Sequence, residues 1–181
     1  MGEKKYITPD VYYIDNFLEE SFIDNLHDKI SNPSSLWFRH SCRGFDVDKN
    51  FYFYNPLSPD DYAGEYEHFS NILKDNEVTR IYVNGQVGVE HGNFHKDDGD
   101  ETFLIGLTKG WNSESGGATE FKSGDDCSFS IYPKYNRIIC FKSDIEHRAL
   151  PNVDLHSFRM TLAIKTNKVK KNNISNINFI A

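Results

Sequence analysis

The feature that most constrains the fold is a change of period near Val78. Upstream, apolar residues recur at helical spacing: Phe22, Ile23, Leu26 and Ile30 in one stretch, Tyr62, Tyr66, Phe69 and Leu73 in another. Downstream, short β-rich runs follow one another at Thr79–Val83, Thr102–Thr108, Ala118–Phe121, Cys127–Tyr132, Arg137–Phe141 and Phe158–Thr166. Ser123-Gly124-Asp125, Pro133 and Lys142-Ser143-Asp144 part several of them. Many short strands with regular turns predict a sandwich or barrel. The two amphipathic helices each need a sheet to cover. The expected class is therefore mainly β, with both helices packed on the larger sheet.

The last run is the most informative. Met160, Leu162 and Ile164 face one way, while Arg159, Thr161, Ala163 and Lys165 face the other. An arginine on the inner face of a barrel requires an anionic partner, because an unpaired buried charge is costly.

Local signals fill in the remainder. Val11–Ile14 reads as a strand, Glu19 to Ile30 as a helix ended by Asn32-Pro33-Ser34-Ser35, and Leu36–His40 as a second strand. Phe51–Tyr54 reads as half of a strand pair. Arg43–Asn50 is open between a plain polar loop and a flap carrying substrate contacts. Ser58-Pro59-Asp60-Asp61 reads as a helix start. Asn84-Gly85 reads as a tight turn, and Lys109–Gly117 as an exposed loop. Residues after Asn167 read as a solvated tail with a late β-rich run at Ile177–Ile180.

A chain of 181 residues fits one domain. We divide it into N-terminal helices and strands (1–77), a β core (78–166) and a tail (167–181). The net charge of -7 argues against general nucleic-acid binding. Cys42, Cys127 and Cys140 form no CxxC pair, which suits a reducing compartment. With no apolar run long enough to span a bilayer, the expected address is cytoplasmic, with no membrane partner.

The chemistry centres on His95-Lys96-Asp97. Residues i and i+2 of an extended strand share a face, so this imidazole and carboxylate can grip one metal ion. His147 can complete two imidazoles and a carboxylate, a set that leaves positions on iron open. The triplet alone is weak evidence. With 7 histidines and 27 acids, about one His-x-acid triplet arises by chance. The order adds weight: His147 follows a strand, and Arg159 opens the next one. Competing readings are an ordinary surface cluster, a zinc-type His91-x-x-x-His95 pair, and His156 in place of His147. Gly92-Asn93 argues against the helix that a zinc pair needs. Asp98 and Asp100 read as a solvated turn, His27, His40 and His68 as non-catalytic, and Trp111 as packing.

Several stretches then resemble one family. These are Arg80-Ile81-Tyr82-Val83-Asn84-Gly85-Gln86, His95-Lys96-Asp97, Gly116-Gly117-Ala118-Thr119-Glu120-Phe121, His147-Arg148-Ala149-Leu150-Pro151 and Phe158-Arg159-Met160-Thr161. Together with Pro133, the strand Asn136–Phe141 and Tyr13–Leu18 before a helix, they look like the Fe(II)/2-oxoglutarate-dependent dioxygenases, in their prolyl 4-hydroxylase-like branch. The resemblance implies a double-stranded β-helix (jelly roll), with His95, Asp97 and His147 binding Fe(II). It implies Arg159 on the distal carboxylate of 2-oxoglutarate, supported by Thr161 and Tyr82. The gap from His147 to Arg159, and the insert between Tyr82 and His95, are longer than the family pattern. The implied cofactors are Fe(II), 2-oxoglutarate and O2, with ascorbate as an accessory. The implied reaction hydroxylates a C–H bond, releasing succinate and CO2. A peptidyl proline is the expected substrate. The alternatives are a free amino acid, a small metabolite, an alkylated base, or a non-catalytic jelly-roll binding module. Arg39, Arg43 and Arg148 are candidates for the mouth of the site.

Overall fold

The computed structural model describes residues 2–41, 51–88, 91–124 and 127–169. The chain opens with two strands, β1 (Lys4–Thr8) and β2 (Val11–Ile14), then helix α1 (Glu20–Ser31). Strands β3 (Phe38–Ser41) and β4 (Phe51–Leu57), helix α2 (Ala63–Ile72) and the long β5 (Asn76–Val87) follow. Then come β6 (Glu101–Gly106), β7 (Thr119–Lys122), β8 (Ser128–Ile131), β9 (Ile138–Lys142), β10 (His147–Ala149) and β11 (Phe158–Lys168). No helix among the described residues is long and apolar enough to cross a membrane.

The strands form two antiparallel sheets. The larger runs β1-β2-β9-β6-β11-β5-β4-β3 and the smaller runs β10-β7-β8. This is the expected jelly roll, with strands of the N-terminal third completing both edges of the larger sheet. Both helices pack on one face of that sheet. Ile23, Leu26 and Ile30 of α1 and Phe69 of α2 meet Ile81, Val83, Phe103, Ile105, Leu162 and Ile164 in one apolar layer. The alternation of β11 thus puts Met160, Leu162 and Ile164 under the helices. Each such side chain, fully buried, contributes ~1.5–3 kcal/mol of transfer free energy. A second layer lies between the sheets, where Phe121 and Ile131 meet Val11, Ile139 and Phe141.

Two contacts tie the N-terminal segment to the core. Asn136, at φ 59, exchanges two 2.8 Å hydrogen bonds with Leu18, and asparagine is one of the few residues that tolerate that conformation. Arg137 grips Asp15 with both arms of its guanidinium, at 2.6 and 3.0 Å. That pair holds the Asp15 carboxyl below its ordinary range through the Arg137 hydrogen bond.

Three expectations need correction. Asn84-Gly85 is not a turn, because β5 runs straight through it, pairing with β11 on one side and β4 on the other. Glycine stands there for space: a Cβ would lie 2.2 Å from the Phe158 ring and 2.9 Å from Trp37. The start of the second helix falls at Ala63, after a turn in which Asp61 N–H donates to Ser58 Oγ at 3.2 Å. His95 belongs to an isolated bridge with His147 rather than to a strand. The Asp97 amide donates to Ser143 O instead of extending a ladder. The loop-or-flap stretch Arg43–Asn50 and the run Ile177–Ile180 lie outside the described residues.

Candidate active site

The bridge between His95 and His147 sets the geometry of the site. Each backbone N–H donates to the other's carbonyl at 3.0 Å, so the two imidazoles leave the backbone side by side, with ring centroids 4.5 Å apart. His147 sits at the start of β10, opposite Phe121 of β7, and Phe141 meets its ring edge-on at 4.6 Å. His95 Nδ1 lies 2.9 Å from Asn93 O, and His147 Nδ1 lies 2.9 Å from Ile145 O. A carbonyl can only accept, so each Nδ1 carries a proton, which leaves Nε2 of each ring as the nitrogen turned toward Asp97 and available to a metal. That is the tautomer a metal-binding histidine needs.

Asp97 completes the group. His147 Nε2 lies 3.3 Å from Asp97 Oδ2, and His95 Nε2 lies 3.8 Å from Oδ1. One ligand atom from each of the three residues falls within 4.8 Å of the others. Burial alone would raise the Asp97 carboxyl, but hydrogen bonding to His147 and the adjacent Lys165 ammonium hold it well below its ordinary range. Two nitrogens and one ionised oxygen on one side of a point form a donor set suited to a divalent transition metal.

Beyond the triad, a cleft opens between the sheets, lined by the inward faces of β5 and β11. Their register pairs Arg159 with Gln86, Thr161 with Asn84, and Ala163 with Tyr82. Arg159 is only 6% exposed. It donates through Nη1 to Gly117 O at 2.6 Å and through Nη2 to Gln86 Oε1. Burial pulls its guanidinium down to about 10. Among the described residues, no carboxylate pairs with it. Arg159 Nε, Thr161 Oγ1 and Asn84 Oδ1 are buried without a hydrogen-bond partner. Such a group of orphans is unfavourable in an empty protein and is suited to a bound polar ligand. Arg159 Nε and the Thr161 hydroxyl are both donors beside a cationic group, and the ligand that satisfies those two is a carboxylate.

Gly117 is part of this cradle. At φ +70, a Cβ there would lie 2.8 Å from Arg159 Cδ and 2.8 Å from Asn152 Oδ1. Gly117→Ala should therefore displace the guanidinium. Its expected effect is a loss of carboxylate affinity on the order of tenfold, about 1.4 kcal/mol, read by calorimetry against the wild type.

The structure brings His95, Asp97, His147, Arg159, Thr161 and Tyr82 to one cleft. Burial raises the Tyr82 phenol, so it is a neutral hydrogen-bonding group there. Arg148 reaches the mouth, its Nε held 2.6 Å from Glu120 Oε2 and its guanidinium 4.3 Å from the centre of the Phe94 ring. His91 also lines the cleft, but the clustered ligand set is His95, Asp97 and His147. His156 is exposed. Trp111 is buried and donates its indole N–H to Gly116 O, which is a packing role. Arg43 lies outside the described residues.

Gln86 and Lys165 are the cleft residues whose part in the site sequence reasoning missed. Gln86 is legible afterwards as the cross-strand neighbour of Arg159, which required knowing the register. Lys165 is only 2% exposed and forms an ion pair with Asp97 Oδ2. Its signal was present in the alternation that placed it on the same face as Arg159.

No family model matches the chain, and neither does any curated protein sequence. Solved structures do. A prolyl hydroxylase from Trichoplax adhaerens, in complex with a hypoxia inducible factor oxygen degradation domain peptide, is 17% identical, with a TM-score of 0.70 over 89% of this chain and 84% of that one. A prolyl-4-hydroxylase from Pseudomonas putida is 12% identical, with a TM-score of 0.64 over 88% of this chain and 93% of that one. HygX from Streptomyces hygroscopicus, with nickel, 2-oxoglutarate and hygromycin B bound, is 8% identical, with a TM-score of 0.65 over 89% and 84%. At these identities the likeness is one of fold.

Proposed function

We propose that this chain is an Fe(II)- and 2-oxoglutarate-dependent oxygenase that hydroxylates an unactivated C–H bond. The observation that carries the reading is one cleft holding a 2-His-1-carboxylate cluster and a buried arginine with no acidic partner among the described residues. His95, Asp97 and His147 would hold the iron. Arg159, with Thr161 and Tyr82 beside it, would hold the distal carboxylate of 2-oxoglutarate. Bound together, these groups would supply the oxidative decarboxylation of 2-oxoglutarate by O2, one oxygen atom going to succinate as CO2 leaves and the other to the substrate C–H.

The chain's own contribution is positioning. Asn93 O and Ile145 O orient the two imidazoles. Gln86 and Gly117 hold the guanidinium in place before a ligand arrives, so little ordering remains to be done on binding. Phe121 and Phe141 pack beside His147 and keep water from that side of the site.

For the substrate we propose a peptidyl proline. The sequence resemblance and the prolyl hydroxylases among the similar structures favour it. A small molecule is the second reading, favoured by the likeness to HygX, whose structure contains hygromycin B.

The test of the reaction class is an anaerobic titration with Fe(II) and 2-oxoglutarate. A weak visible charge-transfer band is expected in the wild type and is expected to vanish in His147→Ala. A wild type without the band would favour a non-catalytic binding module. The substrate reading is checked with a panel of peptides with and without proline, scored by succinate release and a mass gain of one oxygen. Turnover of free amino acids or metabolites alone would overturn it.

A further inference from the structure

Strand β11 carries a second cation into the cleft, six positions beyond Arg159 and on the same face. The Lys165 ammonium pairs with Asp97 Oδ2 and also donates to Thr102 Oγ1 at 3.1 Å. The Thr102 hydroxyl lies 2.8 Å from the same Oδ2 and 3.1 Å from Ser143 Oγ. Ser143 O in turn accepts the Asp97 amide at 2.8 Å. One oxygen of this carboxylate is therefore held by an ammonium and a hydroxyl. Among the described residues no hydrogen bond occupies the other oxygen, Oδ1, which lies 3.8 Å from His95 Nε2.

We propose that Lys165 is a positioning residue that restricts Asp97 to one-oxygen coordination and so keeps a coordination position on the metal open. The inference rests on the reading of the site as an iron and 2-oxoglutarate centre. A carboxylate can bind a metal through one oxygen or chelate it through two. Two imidazoles, one carboxylate oxygen and the two donors of a keto acid would fill five positions of a six-coordinate ion. The sixth is left for a gas molecule. A carboxylate free to chelate would fill it. With Oδ2 engaged by Lys165 and Thr102, chelation would require breaking a buried ion pair, which is strongly unfavourable. The same contacts make Asp97 a weaker donor than a free carboxylate, because the ammonium shares its charge.

The probe is nitric oxide, which reports the open position by electron paramagnetic resonance without turnover. The full chain is loaded anaerobically with Fe(II) and 2-oxoglutarate and titrated with the gas. Wild type and Lys165→Arg, which keeps the donors, should saturate alike. Lys165→Met should still take up one iron but need tenfold or more nitric oxide for half-saturation, the scale of outer-shell effects on metal sites. Thr102→Val removes the other donor and should shift the titration in the same direction. It also decides the question if Lys165→Met fails to fold. Unchanged nitric oxide binding in Lys165→Met, or in Thr102→Val where the first variant is unfolded, would overturn the proposal. Absence of the charge-transfer band in the wild type would instead sink the iron and 2-oxoglutarate reading, and this inference with it.

Discussion

Replacing Arg159 by methionine is expected to weaken 2-oxoglutarate binding by about two orders of magnitude while leaving Fe(II) uptake intact. The side chain is almost wholly enclosed, so a carboxylate bound to it is screened little by solvent. Truncating one partner of a buried, hydrogen-bonded charge pair costs roughly 2–5 kcal/mol, and ~3 kcal/mol corresponds to about a hundredfold. Methionine fills much of the same volume, so the cleft should not collapse. Arg159→Lys keeps the charge but loses the fork that reaches Gly117 O and Gln86 Oε1 together. It should fall between the two. Calorimetry with Fe(II)-loaded protein under anaerobic conditions reads both effects. Wild-type affinity in Arg159→Met would remove the carboxylate from this pocket.

The second large effect concerns stability rather than binding. Without metal, Asp97→Asn leaves the Lys165 ammonium enclosed beside a neutral amide. Breaking a buried pair by removing one partner costs roughly 3–5 kcal/mol, because the surviving charge is left without compensation. For a chain of this length that corresponds to a fall in melting temperature of about 10 °C. The double variant Asp97→Asn/Lys165→Met removes both charges, and most of the lost stability should return. The cycle measures the coupling directly. Additive losses in the double variant would show that the two charges do not depend on one another in the folded protein.

Much of this molecule was legible from local pattern. The alternation of Phe158–Thr166 separated the residues under the helices from those facing the cleft, because a strand admits only two faces. The helical stripes through Leu26 and Phe69 pointed to the layer they fill. The cluster of His95, Asp97 and His147 was also proposed from spacing and order together, although His95 and Asp97 needed no strand to come side by side. A single bridge to His147 was enough.

The misreadings share a cause. Asn84-Gly85 carries strong turn chemistry, yet β5 continues through it because β4 and β11 hydrogen-bond to its two sides. Nothing local to the dipeptide shows that Phe158 and Trp37 occupy the space a side chain would need. Arg159 was expected to need an anionic partner, and among the described residues the chain supplies none. Its partners instead are an amide and a carbonyl, and the charge is left for a ligand.

By itself the sequence determined which residues alternate, which stripes are apolar and which side chains can bind a metal, since these follow from composition and period. Register belonged to the tertiary structure. Only the pairing of β11 with β5 and β6 set Gln86 against Arg159 and Lys165 beside Thr102, because a slip of one residue would reverse every side chain of the strand. That register placed a lysine on the carboxylate of Asp97, a contact between residues 68 positions apart that no local spacing encodes.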